Sequence, residues 1–163
     1  HNNSEAVKGD PYIIKGAGEY EVKGVFVEGI PSFHDDKQGA ERGSNIIFRL
    51  EIEDLSITHL GDLGCELDNK QLERLEGTDI LLIPVGGVYT IDAQKAVNVI
   101  NQIEPRIVIP MHYDVPGLKL GKDINGLDAF LKAIAIKPRQ EEKLKITKKE
   151  LPQEDMELVV LSM

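Results

Sequence analysis

Ile107-Val108-Ile109-Pro110-Met111-His112-Tyr113 reads as a buried strand, here taken to run from Arg106 to Met111, that hands a histidine to a loop. Two other stretches repeat the arrangement: Ser32-Phe33-His34-Asp35-Asp36 and His59-Leu60-Gly61-Asp62-Leu63-Gly64, each after an apolar run. Two imidazoles and a carboxylate delivered from strand ends are the donors of a hydrolytic zinc site. Neutral imidazole nitrogen and carboxylate oxygen suit a borderline cation that keeps one position open for water. His1, the first residue, is a fourth candidate ligand.

Working outward, the first third of the chain reads as strand. Tyr12-Ile13-Ile14 is a short apolar run, and Tyr20 to Val27 begins with the two-residue alternation of a half-buried strand. Asn45 to Glu51 and Leu55 to His59 form a hairpin around Glu53-Asp54, which puts Asp62 just past a strand end. From Asp68 the pattern changes to helix and strand in alternation. Asp68 with Gln71 is a capping box, Leu72 and Leu75 give a buried face and Gly77 stops the helix. Asp79 to Val85 is a buried strand, and Ala93, Ala96, Val97, Ile100 and Ile103 share one helical face, with Thr90 as N-cap, Asp92 as a first-turn charge and Pro105 as the stop. Asn125 caps a last short helix through Leu127, Phe130, Leu131 and Ile134, and Lys143 to Ile146 and Glu157 to Leu161 return to strand. Strands first and alternation afterwards give a layered α/β domain with its ligands along one edge. The loop 115–126 is the expected flap over that edge.

The 163 residues, 41% apolar and 29% charged, fit one soluble domain, residues 1–163, with a sizeable core. A net charge of −9 argues against a general nucleic-acid binder, which needs Lys and Arg to neutralise phosphates. The basic run Lys143 to Lys149 is interleaved with acids and reads as a solvated strand face. A single cysteine, Cys65, permits no internal disulfide and favours the cytoplasm; no apolar stretch reaches membrane-span length.

His34, the Gly-Asp-Leu-Gly around Asp62, Ile83-Pro84-Val85-Gly86-Gly87-Val88-Tyr89-Thr90 and Ile107 to Tyr113 together resemble the later motifs of the metallo-β-lactamase-fold hydrolases. Within that superfamily they are similar to the bacterial and archaeal zinc-dependent hydrolases of the branch that includes ascorbate-6-phosphate lactonases. The resemblance implies an αββα sandwich, N-terminally incomplete because no His-x-His-x-Asp-His loop precedes His1. His1 then stands where the last histidine of that loop would be, a purification-tag remnant being the other origin for it. It implies His34 on a first metal, Asp62 bridging, and His1 and His112 on a second. Two Zn2+ ions belong to a complete relative; this chain would hold one or none, with iron or manganese as other occupants of the same donors.

The implied activity is metal-dependent hydrolysis of a small-molecule lactone, ester, amide or phosphoester by metal-bound hydroxide, with Asp62 as the catalytic carboxylate. Asp35 is expected to orient His34 by accepting its second N–H, and His59 to stand behind the site. Cys65 reads as a small core residue. Tyr113 either lines the pocket or packs beneath it. A rival reading is a non-catalytic binding or assembly module that keeps the fold. A fragment lacking the fold's two first strands would also expose sheet edge and apolar surface, inviting homo-oligomers.

Overall fold

The computed structural model describes residues 7–115, 117 and 124–162. His1 and most of the expected flap lie outside those residues. The chain opens with a meander of four antiparallel strands: β1 (Gly18–Val22), β2 (Val25–Phe33), β3 (Ser44–Ile52) and β4 (Leu55–His59). Two-residue turns make the first and last hairpins. Lys23-Gly24 and Glu53-Asp54 all have positive φ, the backbone that follows the right-handed twist of the flanking strands. The single strand expected over Tyr20 to Val27 is therefore two, because this turn reverses the chain with Val22 opposite Val25. Tyr12-Ile13-Ile14 forms no strand, and Tyr12 and Ile13 are exposed.

Helix and strand then alternate: α1 (Asn69–Leu75), β5 (Ile80–Pro84), α2 (Ala93–Ile103), β6 (Ile107–Met111), α3 (Leu127–Ile134), β7 (Arg139–Glu141) and β8 (Glu157–Leu161). The capping box at Asp68 and Gln71 is present, with both reciprocal bonds made. At α2 the cap is Asp92 and not Thr90: the Asp92 carboxylate accepts the Lys95 N–H at 2.9 Å, since it stands three residues before the donor a cap must satisfy. At α3 the cap is Gly126 without a side-chain bond, and Asn125 instead donates its backbone N–H to the Gly86 carbonyl. Lys143 to Ile146 forms no strand; Leu144 and Ile146 still pack onto the sheet, and β7 lies just upstream.

The strands form one eight-stranded sheet in the order β1-β2-β3-β4-β5-β6-β8-β7, parallel from β4 onward. Side chains alternate between its faces. Leu81, Ile83, Val108 and Leu158 face one core with Leu75, Ile100 and Phe130 of the three helices. Ile80, Ile107, Ile109 and Val159 face the other, where Leu144, Ile146 and Leu151 cover them. The described residues thus supply one sheet and one helix layer of the sandwich that the resemblance implies.

This topology sets the direction of the loops. β2 and β4 each run antiparallel to β3 and so parallel to one another, and β5 and β6 follow β4 in parallel. The C-terminal ends of β2, β4 and β6 therefore share one edge, the position at which open α/β sheets present ligand-binding loops.

Candidate metal centre

Each of those three ends releases a candidate ligand within three residues: His34 after Phe33, Asp62 after His59, and His112 after Met111. His34 Nε2 stands 3.6 Å from Asp62 Oδ2, and His112 Nε2 stands 3.8 Å from Asp62 Oδ1. One carboxylate thus turns its two oxygens to two imidazoles. These separations are longer than a hydrogen bond. A cation with N and O ligands at about 2.1 Å and a tetrahedral angle would hold them about 3.4 Å apart, so the donor set fits a metal between carboxylate and ring better than it fits direct pairing. Among the described residues, no three His, Cys, Asp or Glu side chains converge on one point. The arrangement is two one-sided pairs sharing Asp62.

Backbone packing holds both histidines. Gly64 donates its N–H to the Phe33 carbonyl, and a Cβ on Gly64 would collide with the carbonyl carbon and oxygen of His34. A Cβ on Gly86 would likewise strike the carbonyl oxygen of His112. These glycines are there for close approach, not flexibility. His112 itself has φ 52°, a left-handed backbone uncommon for a side chain of its size. Its Nδ1 is buried with no hydrogen-bond partner among the described residues, leaving the edge that faces Asp62 as its polar contact.

Asn45, at the start of β3, has no distinguishing sequence pattern around it and yet ties down the backbone that bears the Asp62 carboxylate. Its Oδ1 accepts the Asp62 N–H at 3.0 Å, while its Nδ2 donates to Ser32 Oγ at 2.7 Å and to the Leu60 carbonyl at 2.9 Å. One amide ties the strand before His34 to the loop that bears Asp62.

The role expected of Asp35 is corrected. Its carboxylate accepts four backbone N–H groups, from Lys37, Gly39, Glu41 and Arg42, and so folds the loop after His34 instead of orienting the ring. Burial raises its pKa, but those four donors outweigh it and hold the carboxyl below the ordinary range. His59 lines the same cavity as His34 and Asp62. Its Nδ1 accepts the Gly61 N–H at 3.0 Å, which leaves the ring proton on Nε2. Burial pushes its pKa below the ordinary value, against the pull of the Asp62 charge. Tyr113 packs against the helix-side core, beneath the site. Cys65 is half-buried, and burial raises its thiol pKa.

A cavity of about 820 Å³ is lined by His34, His59 and Asp62; His112 is not among its described lining residues. A second cleft of about 770 Å³ lies at the opposite sheet end, beside Asp79, Arg106 and Lys148. There Lys148 Nζ reaches both oxygens of the buried Asp79, at 2.8 and 2.6 Å. The basic run forms no strand, but its lysines are exposed as expected, and Lys148 in addition pins the 3₁₀ turn Lys148–Glu150 to the sheet. No helix among the described residues is long and apolar enough to cross a membrane.

Comparison with known proteins agrees with this geometry. The chain is 34% identical over 97 residues to a UPF0173 metal-dependent hydrolase of Staphylothermus marinus, covering 60% of this chain and 41% of the relative. It is 31% identical over 113 residues to a UPF0173 metal-dependent hydrolase of Pyrococcus horikoshii, covering 68% and 50%. The chain therefore spans about half or less of the length of these curated relatives. A crystal structure from Thermotoga maritima, assigned as a candidate zinc-dependent hydrolase of the metallo-beta-lactamase superfamily, superposes with a TM-score of 0.82 at 34% identity, over 99% of this chain and 77% of that one. The family model of the beta-lactamase superfamily domain matches residues 1–112, and with His34, Asp62 and His112 all inside that match, this chain belongs to the beta-lactamase superfamily.

Proposed function

We propose that this chain carries the centre of a metal-dependent hydrolase, with His34, Asp62 and His112 holding zinc and a lactone, ester, amide or phosphoester as the small-molecule substrate. The observation that carries the reading is the Asp62 carboxylate, one oxygen toward each imidazole at 3.6 and 3.8 Å. Relatives named metal-dependent hydrolases support it.

When bound, zinc supplies a Lewis acid for the scissile carbonyl or phosphoryl oxygen and lowers the pKa of water to about 7. The chain's own residues do the rest. Asp62 spans the two imidazoles and is fixed in register by Asn45. His59, with its Nδ1 occupied by the Gly61 N–H, lines the cavity in which the reacting group would lie. Ile46 and Phe48 give the same cavity an apolar portion of its lining. A reducing cytosolic setting belongs to the same reading, since Cys65 has no partner cysteine in this sequence.

The test is elemental analysis of wild type and Asp62→Ala at matched circular dichroism. Loss of metal with the fold intact supports the assignment, and zinc over iron or manganese in the wild type supports the choice of ion. Unchanged metal content in Asp62→Ala overturns it.

A further inference from the structure

Three histidines stand at this sheet edge, and the hydrolytic reading gives a role to two of them. His34 and His112 turn Nε2 toward Asp62, as ligands do. His59 is held differently. It is the last residue of β4 and pairs directly with Phe48 of β3, and residues so paired share a face of the sheet. Both line the cavity with His34 and Asp62. The His59 Nδ1 is already engaged, accepting the Gly61 N–H at 3.0 Å.

That bond decides what the other nitrogen can do. A ring nitrogen that accepts carries no proton, so the neutral imidazole is protonated on Nε2. A protonated Nε2 has no lone pair for a cation; to bind metal there while Nδ1 accepts, the ring would have to be an imidazolate anion. His59 is therefore a hydrogen-bond donor and not a ligand, and among the described residues no acceptor pairs with its Nε2. The two nitrogens of an imidazole diverge widely, so with Nδ1 turned to the Gly61 amide the Nε2–H is turned away from that backbone. Burial holds the ring below the ordinary histidine pKa, against the pull of the Asp62 charge, which keeps the neutral form at pH 7. Ile46 and Phe48 give the lining its apolar portion, and less polar surroundings strengthen a hydrogen bond.

We infer that His59 is a catalytic residue of this centre: its Nε2–H donates to the carbonyl or phosphoryl oxygen on which negative charge collects during hydrolysis. The inference rests on the hydrolytic reading for the reaction itself. With an ester, the water oxygen bonds to the carbonyl carbon, and the electron pair of the double bond moves onto the carbonyl oxygen that the Nε2–H holds. When that pair returns, the bond to the alkoxy oxygen breaks and the alcohol leaves with a proton from the water. The Nε2 proton stays on the ring throughout, for a neutral imidazole polarises an oxygen without giving its proton up.

The test separates the two ring nitrogens. In His59→Asn the side-chain oxygen takes the place of Nδ1 and accepts the Gly61 N–H, while nothing replaces Nε2; in His59→Gln the amide N–H reaches the place of Nε2. The zinc-loaded full chain is assayed with para-nitrophenyl butyrate and bis(para-nitrophenyl) phosphate, and zinc content and urea unfolding are measured on each variant. His59→Asn keeps its zinc and its unfolding midpoint and loses about a hundredfold to a thousandfold in kcat with KM little changed, as loss of one oxyanion donor does. His59→Gln recovers part of that loss. His59→Asn as fast as wild type, or a loss that only tracks lost zinc, overturns the inference, because the ring then serves Gly61 alone. Nitrogen-15 NMR of the wild-type ring at pH 7, with and without zinc, needs no turnover. A protonated Nε2 and a bare Nδ1 in both states support the donor; a proton on Nδ1, or zinc on Nε2, overturns it. A wild type that cleaves neither ester removes the hydrolytic reading and this inference with it, so the two failures are distinguishable.

Discussion

Replacing Asn45 by Ala removes three hydrogen bonds at a stroke: to Ser32 Oγ, to the Leu60 carbonyl and from the Asp62 N–H. Ser32 and Leu60 are buried, so their groups lose a partner where replacement is scarce. A net worth of about 0.5–1.5 kcal/mol per bond gives roughly 1.5–4.5 kcal/mol. Asn45 lines the cavity, however, and a water can take the vacated place and serve some of the orphans. The lower half of the range, about 2 kcal/mol, is therefore expected, equivalent to a fall in Tm of about 4–8 °C for a domain of this size. The consequence for the centre is larger in proportion. Asp62 loses the bond that fixes its backbone, and losing such a support costs metal sites about tenfold to a hundredfold in affinity. Urea unfolding monitored by circular dichroism gives the first quantity, and competition with a chromogenic zinc chelator gives the second. A variant with an unchanged unfolding midpoint and unchanged zinc affinity would refute the claim that Asn45 sets the carboxylate.

Gly64→Ala and Gly86→Ala press a methyl group onto the backbones of His34 and His112. Each is expected to cost about 1–3 kcal/mol by overpacking and to lower zinc affinity, read by the same two assays. Asp79→Ala strands the Ser56 N–H, at about 1–3 kcal/mol, and breaks a pair with the half-exposed Lys148, worth about 0.2–1 kcal/mol. Tm falls, while zinc affinity stays at the wild-type value because the pair lies at the other end of the sheet; Asp79→Asn, which keeps an acceptor for Ser56, loses less. Because burial raises the Cys65 thiol pKa, less thiolate is present at any given pH than in the unfolded chain, so alkylation by iodoacetamide in the native protein is slow at pH 8 and climbs only as pH passes above the ordinary thiol value of 9.0. Native alkylation as fast as in urea would contradict this.

The sequence made the parallel half of the sheet legible, because a parallel strand buried on both faces is a continuous apolar run such as Ile80 to Val85 or Ile107 to Ile109. Its helices were readable for the same kind of reason: Ala96, Ile100 and Ile103 repeat at helical spacing. The turn at Lys23-Gly24 was hidden, since apolar residues continue on both sides of it. Thr90 and Asp92 are both good cap residues, and only the start of α2 decides between them. At the centre, His34, Asp62 and His112 were marked by chemistry at strand ends. Asp35 was misread because a carboxylate beside a histidine in sequence says nothing of the four backbone N–H groups that a tight loop brings around it. Asn45 gave no signal, for its role depends on partners 15 to 17 residues away, as in its bonds to Leu60 and Asp62.

The ends of β2, β4 and β6 are neighbours only once the central sheet is zipped, since β3 and β5 stand between them. A cation shared by loops from all three is consequently a ligand of the finished sheet and not of the unfolded chain. By mass action it deepens the native well by about 2.7 kcal/mol when free metal stands at a hundred times its Kd. With metal held as proposed, its supply would become a survival variable for this polypeptide: in a starved cell the same sequence would open more often, expose its strands to proteolysis and turn over faster, with no change in its rate of synthesis.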